Sequence, residues 1–173
     1  MIALCAHAGG HHLYPQTVYA LDELWAGEVD YAFINPKDEH GYETLLAKHW
    51  AKGEDFAVIE PDIVIHGGVS EAFHDCPEPY CCFPYAWLTQ VGPALGCTRF
   101  RAGFLREFPD VIKKAGAHNV SWRQLDVVLM RHVLARDYKQ QPHVHLPAVE
   151  HLNPRKQLAP DADPTPVLTV PTR

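Results

Sequence analysis

The segment Asp55-Phe56-Ala57-Val58-Ile59-Glu60-Pro61-Asp62-Ile63-Val64-Ile65-His66 governs how the rest of the chain is read. Its apolar, β-branched and aromatic run predicts a buried strand, and two carboxylates, Glu60 and Asp62, interrupt it at spacing i, i+2. On an extended backbone, residues two apart share a face. Acids at the end of a buried strand are costly unless solvent or a cation meets them. A divalent metal carrying a phosphorylated ligand is one reason to build such a pair. A strand that simply ends at Pro61, with both acids solvated, is the other, and the segment alone leaves the two open.

Upstream of this motif the periodicity alternates between strand and helix. Residues 1–6 read as a short buried strand, followed by the small loop Ala8-Gly9-Gly10-His11-His12. Pro15 suits the first turn of a helix over 15–25, with Val18, Leu21 and Leu24-Trp25 at helical spacing and Gly27 beyond its end. Residues 29–34 form a second strand stopped by Asn35-Pro36. Leu45, Leu46 and His49-Trp50 make the stripe of a second helix over 42–51, closed by Gly53, and the third strand covers 56–59. The order β-α-β-α-β predicts a mostly parallel sheet with crossover helices. In open sheets of this kind, ligands gather at the carboxyl ends of the strands. The Gly9-Gly10 loop and Glu60-Pro61-Asp62 both lie at such ends.

Downstream the pattern is less regular. Residues 69–74 read as a short helix, and 76–87, rich in Pro, Cys and aromatics, as a packed loop with a strand. Gly96-Cys97-Thr98-Arg99-Phe100 reads as a strand end leading into a helix over 102–108. Ser121 is an N-cap for a helix over 122–138 with Leu125, Val128-Leu129 and Val133 inward. His143-Val144-His145 reads as a strand with two imidazoles on one face, and His151 follows a short loop later. The expected domain is 1–153, and the Pro-rich stretch 154–173 reads as an extended tail.

The 173 residues, 47% hydrophobic and 21% charged, suit one globular α/β domain. No apolar run is long enough to span a bilayer, and residues 1–10 lack a cationic leader region, so the expectation is a cytoplasmic protein without a membrane partner. Five cysteines (Cys5, Cys76, Cys81, Cys82, Cys97) form no secreted disulfide framework. Cys76 with Cys81 or Cys82 admits a zinc, but four ligands are not evident, and buried free thiols are the expected state. Residues 1–80 hold fourteen acids against three lysines, a balance of −11, whereas 99–139 hold nine Arg or Lys against four acids, a balance of +5. The acidic half suits a cation and the basic segment a polyanion.

The βαβαβ start, the acid pair after the third strand and the late histidines together resemble glycosyltransferases of the GT-A fold. The resemblance extends to Val58-Ile59-Glu60-Pro61-Asp62-Ile63, Cys76 with Cys81, Pro84-Tyr85, Gly96-Cys97-Thr98-Arg99-Phe100, Trp122 with Leu125-Asp126, and His145 with His151. These look like a family of small glycosyltransferase-like proteins frequent in bacteriophages, over residues 1–153. The resemblance implies a single GT-A-like (Rossmann-like) domain, a mostly parallel sheet flanked by helices, and a host-cell cytoplasmic location. It also implies a UDP-sugar donor held by Mn²⁺ or Mg²⁺. An imidazole beside carboxylate and phosphate oxygens favours Mn²⁺.

By the same resemblance Asp62 is the metal ligand and Glu60 its partner nearer the ribose or a metal-bound water. The histidine completing the site is His145, with His151 second. Asp126, expected at a helix start, is the general base toward the acceptor hydroxyl. An acid in a first turn also simply favours the helix dipole. His7, Gly9 and Gly10 are placed to meet the nucleotide, and Arg99 (with Arg101) to meet diphosphate. The departures are Glu at the first motif position and Pro in the middle. The acceptor classes are DNA carrying a hydroxymethylated base, such as 5-hydroxymethylcytosine, or a protein or glycan. The rival classes are a metal-dependent hydrolase or nuclease using Glu60, Asp62, His143 and His145, and a non-catalytic nucleotide-binding protein.

Overall fold

The structure is a computed structural model, and it describes residues 1–9, 13–87, 90–118 and 124–152. The expected opening is present: β1 (Ile2–His7), α1 (Pro15–Leu24), β2 (Val29–Phe33), α2 (Gly41–Lys52) and β3 (Phe56–Ile59). After these come β4 (Ile63–Val64), α3 (Val69–Asp75), β5 (Tyr80–Cys82), β6 (Tyr85–Trp87), β7 (Gln90–Gly92), β8 (Cys97–Phe100), α4 (Ala102–Glu107) and α5 (Val111–Gly116). A short α6 (Leu125–Val127) runs on as a π-helical segment, Val128–Asp137, and β9 (His143–Val144) and β10 (Glu150–His151) come last.

The central sheet is six-stranded and mixed, in the order β2-β1-β3-β8-β5-β9. β1 pairs in parallel with both β2 and β3, and β5 with β9, while β8 is antiparallel to β3 and to β5. The sheet is therefore mostly parallel, with one reversed strand beside the strand that carries the motif. Every residue of β3 and of β8 is buried, as expected for strands covered on both faces.

The pleat divides the core in two. Leu4, Phe56, Val58, Tyr80 and Phe100 face Leu46 and Trp50 of α2, Phe104 of α4, Ile112 of α5, and Leu129 and Val133 of the π-helical segment. Ala3, Cys5, Ala57, Ile59, Cys81 and Cys97 face Leu21 and Trp25 on one side and Phe73 and Phe83 on the other. Four aromatic rings, Trp50, Phe56, Phe100 and Phe104, lock the first layer, with Trp50 and Phe100 centroids 5.1 Å apart.

Several local expectations change. α1 buries Thr17, Ala20 and Leu21 rather than the full stripe, and Leu24 faces outward. α5, the β6–β7 hairpin and the β4–β10 pair carry no clear periodicity because each is too short to show one. The final helix is wider than expected. Buried residues recur there at four to five positions (Leu129, Val133-Leu134), and Tyr138 N–H donates back to Val133, five residues earlier. The proposed Ser121 cap and the tail 154–173 lie outside the described residues. Among the described residues no helix is long and apolar enough to cross a membrane.

Candidate functional site

The two motif acids do not continue β3 as extended chain. Ile63 N–H donates to the Glu60 carbonyl at 3.0 Å, closing a tight turn with Pro61 at its second position, where proline's fixed φ suits it. Three further backbone bonds hold the turn: Glu60 N–H to Gly96, Tyr14 N–H to Pro61 and Leu152 N–H to Asp62. The motif is thus clamped by β8's leader, by the start of α1 and by the segment following β10.

β10 pairs antiparallel with β4, setting His151 opposite Ile63 and its imidazole beside Asp62. His151 Nδ1 lies 2.9 Å from the Ala86 carbonyl oxygen, and Nε2 lies 3.1 Å from Asp62 Oδ2. A carbonyl only accepts, so Nδ1 carries the proton, and Nε2 is the atom presented to Asp62. In the neutral ring a lone pair therefore faces a carboxylate, which calls for a proton or a metal ion between them. Donor atoms cis to one another on an ion with bonds of about 2.1 Å are roughly 3.0 Å apart, close to the separation here. His145, expected to be the main imidazole ligand, is not the partner of Asp62. Its ring stacks on Phe83 at 5.0 Å and sits beside His143.

Glu60 lies over Gly96. Its Oε2 accepts from the Tyr85 hydroxyl at 3.1 Å, and Tyr85 Oη in turn accepts from the Gly96 N–H at 3.3 Å. A Cβ on Gly96 would stand 2.4 Å from Glu60 Oε2, so only glycine lets the carboxylate occupy this place. Burial, and then the charges of Glu60 and Asp126, push the Tyr85 and Tyr42 hydroxyls well above their ordinary values. Burial, followed by Asp62 and Glu60, pushes the Cys5 thiol up to about 12. The charges of Glu60 and Asp126 thus both reach the Tyr42 and Tyr85 hydroxyls, and those of Glu60 and Asp62 both reach the Cys5 thiol. Asp126 stands in the first turn of α6, as expected for a helix start.

Beside the acids, at the end of β1, lies an open cleft of about 520 Å³ lined by His7, Leu13, Pro15, Val18, Tyr19 and Asp22. The acids themselves do not line it. Gly9 adopts φ +88°, and its N–H donates to His7 Nδ1 at 3.1 Å, which orients the ring. Phe33 packs edge-on against His7 and is 65% exposed, while Tyr19 is 69% exposed, so two aromatic faces meet solvent here. Gly10 is outside the described residues.

Arg99 corrects the expectation placed on it. It is fully buried, and its guanidinium donates to the carbonyls of Glu78 and Cys76 and to Cys81 Sγ. Its place opposite Ala57 and Cys81 in the sheet turns it inward, away from a diphosphate. Arg101 is likewise engaged, by Asp55 at 3.4 Å and by the carbonyls of His74 and Cys76. Lys114 pairs with Asp110 and Arg136 with Asp137, so much of the basic segment is tied up internally.

The sequence gives no role to Tyr42, and Tyr85 and Gly96 enter it only within stretches that carry the resemblance, with no function attached. The clue available was the apolar run around them, in which a tyrosine or glycine reads as ordinary packing. No protein-family model, no curated protein and no solved structure matches this chain. What the fold and geometry define is a mixed α/β domain with a carboxylate–imidazole pair and a second carboxylate, Glu60, at the carboxyl end of a central strand.

Proposed function

We propose that the protein is a metal-dependent glycosyltransferase that moves a sugar from a UDP-sugar to an acceptor hydroxyl. The observation that carries the reading is the Asp62–His151 pair. A carboxylate oxygen and a tautomer-fixed Nε2 stand 3.1 Å apart at a strand's carboxyl end, beside Glu60. A mixed carboxylate and imidazole set suits Mn²⁺, and Mg²⁺ less well. The ion, when bound, neutralises the donor diphosphate and supports departure of the nucleotide.

The chain's own residues do the rest. Asp62 and His151 would hold the ion, and Glu60, positioned by Tyr85 and Gly96, would face the ribose. The cleft by His7, Tyr19 and Phe33 offers aromatic faces to the uracil and room for the ribose. Asp126 takes the proton from the acceptor hydroxyl as it attacks the anomeric carbon. The acceptor is a hydroxyl compound, and a hydroxymethylated base in DNA is the first to test, by mass analysis of hydroxymethylcytosine DNA after incubation with UDP-sugars.

The binding step is tested by calorimetric titration of UDP with and without Mn²⁺. Metal-dependent affinity that disappears in Asp62→Ala is expected. Absence of metal dependence, or an Asp62→Ala variant that binds UDP as the parent does, overturns the reading.

A further inference from the structure

A second set of donor atoms converges at the outer edge of the sheet, apart from the Asp62–His151 pair. One donor atom each from Cys76, His143 and His145 lies within 4.8 Å of the other two. The fold builds this convergence from three segments. Cys76 is the C-cap of α3, and β9 runs parallel to β5 with His143 opposite Cys81. His145 N–H donates to the Cys82 carbonyl at 2.9 Å, extending that register by one residue. The i, i+2 spacing then puts both imidazoles on one face, with centroids 4.7 Å apart.

Two details point to a ligand. His145 is held by stacking on Phe83 and an edge contact with Phe73, yet its Nε2 is buried with no hydrogen-bond partner among the described residues. A buried ring nitrogen without a partner calls for an explanation. A fourth donor is also at hand. Cys81 stands opposite His143 in the β5–β9 register, beside the three donors rather than among them, and its Sγ accepts from Arg99 Nη2 at 3.1 Å.

We propose that Cys76, His143 and His145, completed by Cys81, form a structural zinc site. Two thiolates and two imidazoles are the donor set that zinc takes tetrahedrally, and four protein ligands leave no open position for a substrate. Oxygen-preferring Mn²⁺ and Mg²⁺ are disfavoured by such a set, which separates this site chemically from the carboxylate site. With bonds of 2.0–2.3 Å, tetrahedral ligands stand roughly 3.3–3.8 Å apart, so closure of about 1 Å brings Cys76, His143 and His145 onto an ion, and Cys81 turns from Arg99 to complete the set. Loss of the two thiol protons balances the charge of the ion, so the already buried Arg99 cation meets no added net charge. The ion would fasten β9, a strand of two residues, to β5 and α3. That fixes the start of the segment leading to His151. This inference does not depend on the glycosyltransferase reading.

The test uses the full chain, purified without a histidine tag. Metal analysis after dialysis is expected to find roughly one zinc per chain. Cobalt in its place should give tetrahedral visible bands and a thiolate-to-metal charge-transfer band, which the carboxylate site cannot produce. Cys76→Ser should weaken that band, and Cys76→Ser with Cys81→Ser should abolish it. His143→Ala, at an exposed position and so least disturbing to folding, should weaken zinc by more than the roughly 10–100-fold typical of an outer-shell loss. His74→Ala, an exposed histidine on the same helix, and Asp62→Ala should leave zinc content unchanged. A wild-type chain that takes up no zinc or cobalt overturns the proposal, as does bound cobalt without the thiolate band. Zinc lost in Asp62→Ala but kept in His143→Ala assigns the ion to the other site and also overturns it.

Discussion

Replacing Gly96 by alanine isolates how the Glu60 carboxylate is held. The new Cβ would stand 2.4 Å from Glu60 Oε2 and 2.6 Å from Tyr85 Oη, where ordinary contact begins near 3.4 Å. About 1 Å must therefore be found by moving both groups. The carboxylate is the end of a flexible chain, but the tyrosine ring is buried and rigid. Gly96 does not need the left-handed region, so the cost is contact rather than backbone strain. Overpacking on this scale costs roughly 1–3 kcal/mol. For a chain of this length about 2 kcal/mol is roughly 4–8 °C in Tm. The effect on chemistry should be larger, since a 1 Å misplacement of a positioned group costs on the order of 100-fold. Thermal melts of Gly96→Ala, Glu60→Ala and the double variant form the assay, with metal-dependent UDP binding and sugar transfer measured alongside. Glu60→Ala removes one of the two clashing groups, so the second substitution should cost less in that background. Strictly additive melts, or Gly96→Ala indistinguishable from wild type in all three measurements, would refute the placement of Glu60.

Asp126→Asn should leave metal-dependent UDP affinity intact and lower sugar transfer by about 10²–10⁴-fold, read by product mass; equal losses in binding and transfer would remove Asp126 from the proton-transfer role. Arg99→Met removes one donor from the Cys76 carbonyl, which keeps Arg101, and one from the part-buried Glu78 carbonyl, and should cost roughly 1–3 kcal/mol in urea denaturation. A stable Arg99→Met chain with weakened UDP binding would restore Arg99 to the ligand site. Burial holds the His49 imidazole below its ordinary value of 6.5, with Lys52 and Lys48 acting the same way and Asp30, at 3.5 Å, opposing them. The folded state therefore binds this proton less readily than the unfolded chain. Its contribution is whole above pH 6.5 and is lost as pH falls from there through the lowered folded value. His49→Gln should flatten that part of the stability–pH profile, and an unchanged slope would assign the loss to other groups.

The elements from β1 to β3 were legible because their information is local. Helical stripes such as Leu46 and Trp50 and the unbroken run Phe56–Ile59 state their own secondary structure. Strands joined by crossover helices then pair in parallel, so the ends of β1 and β3 are bound to meet. Asp62 just beyond a strand's carboxyl end, and Asp126 in a first helical turn, follow from the same local signals. The partners of these residues were not legible. His151 reaches Asp62 across 89 positions, and only because β10 pairs with β4. His145 matches His151 in type and lies only six positions away, but the β5–β9 register carries it to Cys76 instead. Arg99 looks like a surface cation in a basic segment, yet its place in a strand buried on both faces turns it inward to carbonyls. The sequence by itself thus determined the elements and the acids at their ends, since periodicity and turn chemistry act over a few residues. Only the tertiary structure decided which imidazole meets which donor, because that depends on strand register summed over the whole sheet.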